Sequence, residues 1–307
     1  MKKPKVVAVV GPTAVGKTAL SVEICRAFNG EVVSCDSMQV YRGMNIGTAK
    51  VTHEEAKGIR HRMIDICDVG ESFSCADYAF RAKAETDDII SHGKLPVFCG
   101  GTGLYLDSVL TGNSFSEAGV SGELRAELSK KSEDELWNYL YEIDRESAEA
   151  THKNNKKRVI RAIETYKLTG KTKTEWDRLS RREQKPYDSL IIGLRCSDRE
   201  RLYDRINARV DEMMSRGLVD EVKSLGLEHG SCAGAAIGYK EIIAYLEGKC
   251  TLDSAVEKIK KASRNYAKRQ MTWFSRNKDI LWYDTDLLSQ SEIRERAISA
   301  LEKFLKD

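Results

Sequence analysis

The sequence predicts an α/β fold: a P-loop NTPase, kinase-like parallel sheet core carrying a helical insertion domain. Three observations predict it. Short β-branched runs recur at 5–10, 31–34, 96–99 and 190–194, with helical patterns between several of them. Strands that alternate with helices build a parallel sheet with both faces covered. The first run leads straight into Gly11-Pro12-Thr13-Ala14-Val15-Gly16-Lys17-Thr18, which fits the phosphate-loop pattern G-x-x-x-x-G-K-[ST]. From about Thr111 to Asp188 the periodicity is helical, and the strand pattern resumes at "LIIGLRC". A P-loop α/β core is therefore expected at 1–111 and 189–307, with a helical, basic insertion at 112–188.

The first run, "KVVAVV", is too short for a signal-peptide core and meets Gly11 and Pro12 at once, so it reads as a buried strand. After it, glycines at 11 and 16 allow a turn in which successive N–H groups point inward as an anion nest. The run "TALSVEICRAF" then opens a helix whose N-terminus adds partial positive charge. In this pattern Lys17 neutralises a phosphate oxygen and Thr18 ligates Mg²⁺. The loop specifies a diphosphate or longer phosphate chain and no particular nucleoside, so ATP fits it physically. The base-reading N-K-x-D element of GTPases is absent, and "NKD" at 277–279 has the wrong spacing.

The second run ends at Asp36, followed by Ser37, Met38, Gln39, Tyr41 and Arg42. Right-handed crossovers bring the loops after parallel strands to one edge. Asp36 there either caps a turn, binds Mg²⁺ or acts as a general base. The polar and aromatic residues after it suit contact with a nucleobase. The third run ends in "GGTG", which puts the Thr102 hydroxyl on a flexible backbone at that edge. It either donates to a leaving oxygen or sits in a tight strand-to-helix turn.

After Ser197, Leu202, Ile206, Val210, Met213 and Met214 recur at helical spacing. Arg201, Arg205, Arg209 and Arg216 fall near one face of that helix. They form a solvated face or present guanidiniums to phosphates. In the last basic stretch, Tyr266, Trp273 and Phe274 stack on bases or pack a helix, and packing is the expectation for Trp273 and Phe274.

The net charge is +3, but it is unevenly spread. Residues 151–186 hold twelve Lys/Arg and four Asp/Glu; residues 258–278 hold eight Lys/Arg and no acid. The rest of the chain is net acidic. Two basic blocks on an acidic body point to a polyanionic partner, nucleic acid above all. No apolar run reaches the ~20 residues that span a bilayer. The eight cysteines form no C-x-x-C pair, so free thiols in a reducing cytoplasm are expected, without a zinc site.

The stretches "GPTAVGKT", "DSMQVYRGMNIGTAK", "GGTGLYLDSVL", "RVIRAIETYKLTGK", "AIGYKE" and "RNYAKRQMTWFSR" occur in this order. Together, over about residues 5–283, they resemble the tRNA dimethylallyltransferases, the bacterial-type isopentenyl-tRNA transferases. The resemblance implies transfer of a dimethylallyl group from dimethylallyl diphosphate. The acceptor is N6 of adenosine 37, 3′ of the anticodon, in tRNAs reading codons that begin with U. It implies Asp36 as general base and Thr102 as its catalytic companion. Diphosphate then lies on residues 11–18 and on Arg209, with Mg²⁺ as cofactor. It implies tRNA contacts from Asp36, Ser37, Met38, Gln39, Arg125, Arg158 and Arg161. The expected partners are the tRNA anticodon stem-loop and dimethylallyl diphosphate, for a cytoplasmic monomer with no membrane attachment. Two departures stand out: "HKNNKKR" replaces a His-Pro-Asn-Asp-like run, and "RHRMID" replaces a two-histidine form.

Three rivals share some of these features. An adenylate isopentenyltransferase would keep the phosphate loop and Asp36, but a free nucleotide needs no long basic insertion. A small-molecule kinase would use Arg181 and Arg182 in a lid. An RNA-binding ATPase would turn over ATP and modify no base.

Overall fold

A computed structural model describes residues 2–111, 121–182, 185–227 and 230–307. They form two compact units, Met1–Leu106 with Tyr187–Asp307, and Asp107–Pro186. The segment "NSFSEAGV" at the start of the expected insertion lies outside the described residues, as do the side chains of Arg181 and Arg182.

The first unit is built on six parallel strands: β1 (Lys5–Val10), β2 (Gly30–Ser34), β3 (His61–Arg62), β4 (Leu95–Gly100), β5 (Asp188–Arg195) and β6 (Leu281–Asp284), in the order β3-β2-β4-β1-β5-β6. β1 is flanked on both sides, by β4 and β5. That is why Val6 to Val10 are all buried and read as an unbroken apolar run. The four runs expected from the sequence are the four inner strands. The two edge strands were not expected, because each is too short for a periodic signal. β3 is fixed by charge instead. The buried Arg62 guanidinium meets Glu31 at 2.7 Å, Glu85 at 2.5 Å and Asp88 at 3.0 Å. His61 beside it turns Nδ1 toward the Ile59 carbonyl, and its buried Nε2 lacks a partner among the described residues.

Helices of this unit are α1 (Lys17–Ala27), α2 (His53–Ala56), α3 (Cys75–Ser91) and the start of α4 (Gly103–Leu110). In the second unit follow α5 (Gly122–Ser129), α6 (Glu133–Ile143), α7 (Arg145–Glu149), α8 (Lys156–Thr169) and α9 (Lys173–Arg182). The first unit resumes with α10 (Arg199–Ser215), α11 (Leu218–Leu225), α12 (Tyr239–Leu246), α13 (Leu252–Phe274) and α14 (Gln290–Lys306). None of the described helices is long and apolar enough to cross a membrane.

The caps differ in a way that matters for the site. Ser74, Ser132 and Ser289 close capping boxes on α3, α6 and α14. α1 has no side-chain cap: left-handed Gly16 precedes it, and no side chain accepts from its first N–H groups. Those orphan donors are available to an anion. The sheet core packs α1 and α14 around Val7, Val9, Ile24, Val97, Ile192 and Leu301. A second cluster joins Val40, Tyr41 and Met44 to Tyr239, Ile242 and Ile259, and so ties the loop after β2 to α12 and α13.

In the second unit Leu128, Leu136, Leu140, Val159 and Ile163 form the core. The "HKNN" departure still starts a helix. The Asn155 side chain accepts from the Arg158 N–H and caps α8, while His152 Nδ1 accepts from the Asn154 N–H.

Candidate active site

Strand register sets the site. Val10 lies beside Gly100, and Ser34 beside Cys99. The loops that leave β1, β2 and β4 therefore emerge together at the carboxyl edge of the sheet, where ligands bind in open parallel sheets.

The β1 loop holds residues 11–18. Gly11 has φ +138°, and a Cβ there would lie 2.1 Å from the Leu194 carbonyl oxygen, so glycine is required. Ala14 adopts φ +63°, a left-handed value that costs an alanine energy and that the loop's surroundings must hold in place. Lys17 Nζ donates to the Pro12 carbonyl at 2.5 Å. Burial pushes its ammonium down to about 8; Arg209 adds to that shift, while Cys99 and Asp36 oppose it. Arg209 is likewise held below its usual range by burial, against the pull of Asp36. It makes no ion pair among the described residues. Two half-buried cations lie close enough to feel each other's charge, an arrangement that a dianion or larger phosphate relieves.

The arginine stripe of α10 divides. Arg201 pairs with Asp198, Arg205 with Asp286 and Arg216 with Glu212. Arg209 is thus the member of the stripe turned to Lys17 and Asp36; the other three brace the surface.

Asp36 follows β2. Its Oδ1 accepts from the Met38 N–H at 2.9 Å and the Gln39 N–H at 3.4 Å. One oxygen therefore caps the turn, as one of the sequence readings held. Oδ2 accepts no hydrogen bond among the described residues and stays open to a proton or a cation. Thr102 is joined to this turn. Its Oγ1 accepts from the Ser37 N–H at 3.3 Å, and its own N–H donates to the Cys35 carbonyl at 3.0 Å. The Tyr266 hydroxyl is raised above its usual value by burial, which the Asp36 charge reinforces and Thr102 and Gln270 oppose.

The glycines around Thr102 do not give a flexible backbone, as the sequence suggested. A Cβ at Gly100 would meet the Cys35 carbonyl at 2.3 Å, at Gly101 the Gln270 amide at 1.9 Å, and at Gly103 the Trp273 ring at 2.1 Å. Each glycine admits a neighbour, and none has a positive φ. Trp273 and Phe274 pack, as expected: Trp273 lies on Gly103 and Phe274 is buried.

Gln39 is half-buried, and its amide braces the loop. Oε1 accepts from Ser34 Oγ, and Nε2 donates to the Thr48 and Ala49 carbonyls. Sequence reasoning missed the groups that hold this loop. Lys50, only 8% exposed, donates to the Tyr41 carbonyl, to Asn45 and to Asp65. The Glu221 carboxylate accepts three consecutive N–H groups, from Asn45, Ile46 and Gly47, and the Tyr239 hydroxyl at 2.6 Å. A Cβ at Gly47 would lie 2.5 Å from the Tyr239 ring. The stretches "NIGTAK" and "AIGYKE" are therefore two sides of one packed support. Their occurrence in the sequence was the only available signal for it.

In the second unit, fully buried Glu164 accepts from the Ser121 N–H at 3.0 Å, Arg125 at 2.9 Å and Arg161 at 2.7 Å. Both arginines remain about 40% exposed. Arg158 is exposed on the same helix as Arg161.

A phosphate loop on the central strand of a parallel sheet, with a carboxylate and a hydroxyl carried in by the next loops, defines a P-loop group-transfer enzyme. Comparison with known proteins narrows the class. The family model described as IPP transferase matches residues 39–278. A tRNA dimethylallyltransferase of Anoxybacillus flavithermus is 47% identical over 305 residues, covering 98% of this chain and 96% of that one. The solved tRNA isopentenylpyrophosphate transferase of Bacillus halodurans is 43% identical, with a TM-score of 0.74 and 99% of each chain covered. A eukaryotic dimethylallyltransferase solved acting on tRNA gives a TM-score of 0.87 at 30% identity, over 99% of this chain and 80% of that one. The chain belongs to the IPP transferase family, the tRNA dimethylallyltransferases.

Proposed function

We propose that this enzyme transfers a dimethylallyl group from dimethylallyl diphosphate to N6 of adenosine 37, 3′ of the anticodon, in tRNAs reading codons that begin with U. Diphosphate is released. The observation that carries the reading is that Thr102 is tied, through the Ser37 N–H, to the turn that carries Asp36, on the edge where the half-buried Lys17 and Arg209 sit with no ion pair among the described residues.

An exocyclic adenine amine is a poor nucleophile, because its lone pair is delocalised into the ring. Asp36 Oδ2 takes one N6 proton as the C–N bond forms. The allylic C–O bond breaks, and its electron pair leaves with the diphosphate. Lys17, Arg209 and the uncapped N–H groups of α1 stabilise that charge where it develops. Thr102 donates to the bridging oxygen or aligns Asp36, and its link to Ser37 supports the second role. The Thr18 hydroxyl and the donor's own phosphate oxygens are hard oxygen donors. They would hold Mg²⁺, which adds Lewis-acid stabilisation of the diphosphate when bound.

The acceptor base lies in a stacked anticodon loop and must be extruded to reach Asp36. Ser37, Met38 and Gln39 line its approach. Arg125 and Arg161, pre-set by Glu164, and the exposed Arg158 offer cations to the tRNA backbone, so binding should weaken steeply with salt. A tRNA substrate fits an enzyme that acts in the cytoplasm, and the reading takes it as a monomer.

A test offers labelled dimethylallyl diphosphate with either unmodified tRNA or free AMP. Label entering tRNA alone is expected. Label entering AMP, or phosphoryl transfer from ATP without prenyl transfer, contradicts the reading.

A further inference from the structure

Gln270 lies on α13, 257 positions from Thr13 and 169 from Gly101, yet its side chain joins both. It is 5% exposed. Oε1 accepts from the Thr13 N–H at 3.0 Å, and Nε2 donates to the Gly101 carbonyl at 3.0 Å. The two partners fix the orientation of the amide, since an N–H must face oxygen and a carbonyl must face nitrogen. A Cβ at Gly101 would lie 1.9 Å from Nε2, so the bridge as it stands leaves no room for a side chain there.

The side-chain chemistry is restrictive. The bridge needs a donor and an acceptor on one planar group at the end of a two-methylene stem. Asparagine is one methylene short, glutamate cannot donate, and methionine does neither. The bridge also withdraws the Thr13 N–H from the phosphate cradle, leaving the later N–H groups of the loop to face a ligand.

We propose that Gln270 is a positioning residue. It locks the phosphate loop to the Gly100–Thr102 loop, and so sets the separation between the departing diphosphate and the Asp36–Thr102 pair. The inference rests on the prenyl-transfer reading above. Errors of about 1 Å in such a separation cost roughly 100-fold in rate, while initial tRNA docking does not depend on it.

The full-length enzyme is tested as wild type, Gln270→Met, Thr102→Val and the double variant, with tRNA and dimethylallyl diphosphate. Gln270→Met should lower kcat roughly 10- to 100-fold and leave the KM for tRNA within about twofold. In the Thr102→Val background the same change should cost less than about threefold, because both substitutions spoil one alignment. Wild-type kcat in Gln270→Met overturns the proposal, and so does an equal loss in both backgrounds, which a merely structural role produces. Should Gln270→Met fail to fold, Gln270→Glu keeps the length and the acceptor oxygen and takes its place in the same comparison, with the same outcomes deciding. A wild type that prenylates no tRNA overturns the functional reading and this inference together. An active wild type with an unaffected Gln270 variant overturns the inference alone.

Discussion

Asp36 does two jobs with two oxygens. Oδ1 holds the turn to Met38 and Gln39, and Oδ2, which accepts no hydrogen bond among the described residues, is the oxygen the proposed mechanism uses as base. The two roles separate by substitution. Asp36→Asn keeps an oxygen for the Met38 N–H and removes the basic carboxylate. Transfer should fall roughly 10²- to 10⁴-fold, with tRNA affinity and melting temperature close to wild type, read by single-turnover assay, filter binding and calorimetry. Asp36→Ala should add a loss of about 1 kcal/mol from the uncapped turn. Equal loss of binding and transfer in Asp36→Asn would assign the residue a structural role. Asp36, Thr102 and Lys17 were legible because each ends a strand or completes a local pattern. Gln270 was not. Its partners lie far away in sequence, and nothing within its own helix marks a buried amide as a bridge rather than a surface residue.

At the scale of elements, the phosphate loop and the helix behind it are read almost directly from residues 5–18, because strand, glycines and uncapped helix are contiguous. The short edge strands are not. β3 exists because Arg62 finds Glu31, Glu85 and Asp88, which only the folded chain brings together. The triad Arg125–Glu164–Arg161, which joins α5 to α8, poses the same difficulty: the resemblance alone pointed to the arginines, and nothing local in the sequence marks Glu164 as the carboxylate that holds them. Glu164 has a testable signature. Burial alone would raise its carboxyl, but hydrogen bonds from Arg125, Arg161 and the Ser121 N–H outweigh it and hold the group below its ordinary value of 4.5. A depressed carboxylate contributes stability that is complete above that value and is lost as pH falls through the folded one. Denaturant midpoints followed by tryptophan fluorescence should therefore drop more steeply below pH 4.5 in wild type than in Glu164→Gln. At neutral pH the variant should be less stable by roughly 2–4 kcal/mol. Parallel acid profiles for the two proteins would contradict this role.

Along the chain, the candidate donor-site residues fall in the α/β unit, while the candidate tRNA contacts fall in both units. The α/β unit carries the phosphate loop, Asp36, Thr102 and Arg209, and one basic stretch in α13. The helical unit, Asp107–Pro186, carries Arg125, Arg158 and Arg161. The charge imbalance between segments, visible in the sequence, anticipated a nucleic-acid substrate, and the phosphate loop alone would have suggested a nucleotide hydrolase. The central claim is that the bound phosphate is the leaving group of a prenyl donor. Its most direct test is mass analysis of nucleosides from unmodified tRNA after reaction with the purified enzyme, Mg²⁺ and dimethylallyl diphosphate, without ATP. The account predicts a five-carbon addition on one adenosine, 3′ of the anticodon, and one diphosphate released for each. An unaltered tRNA, or an addition that requires ATP hydrolysis, would contradict it.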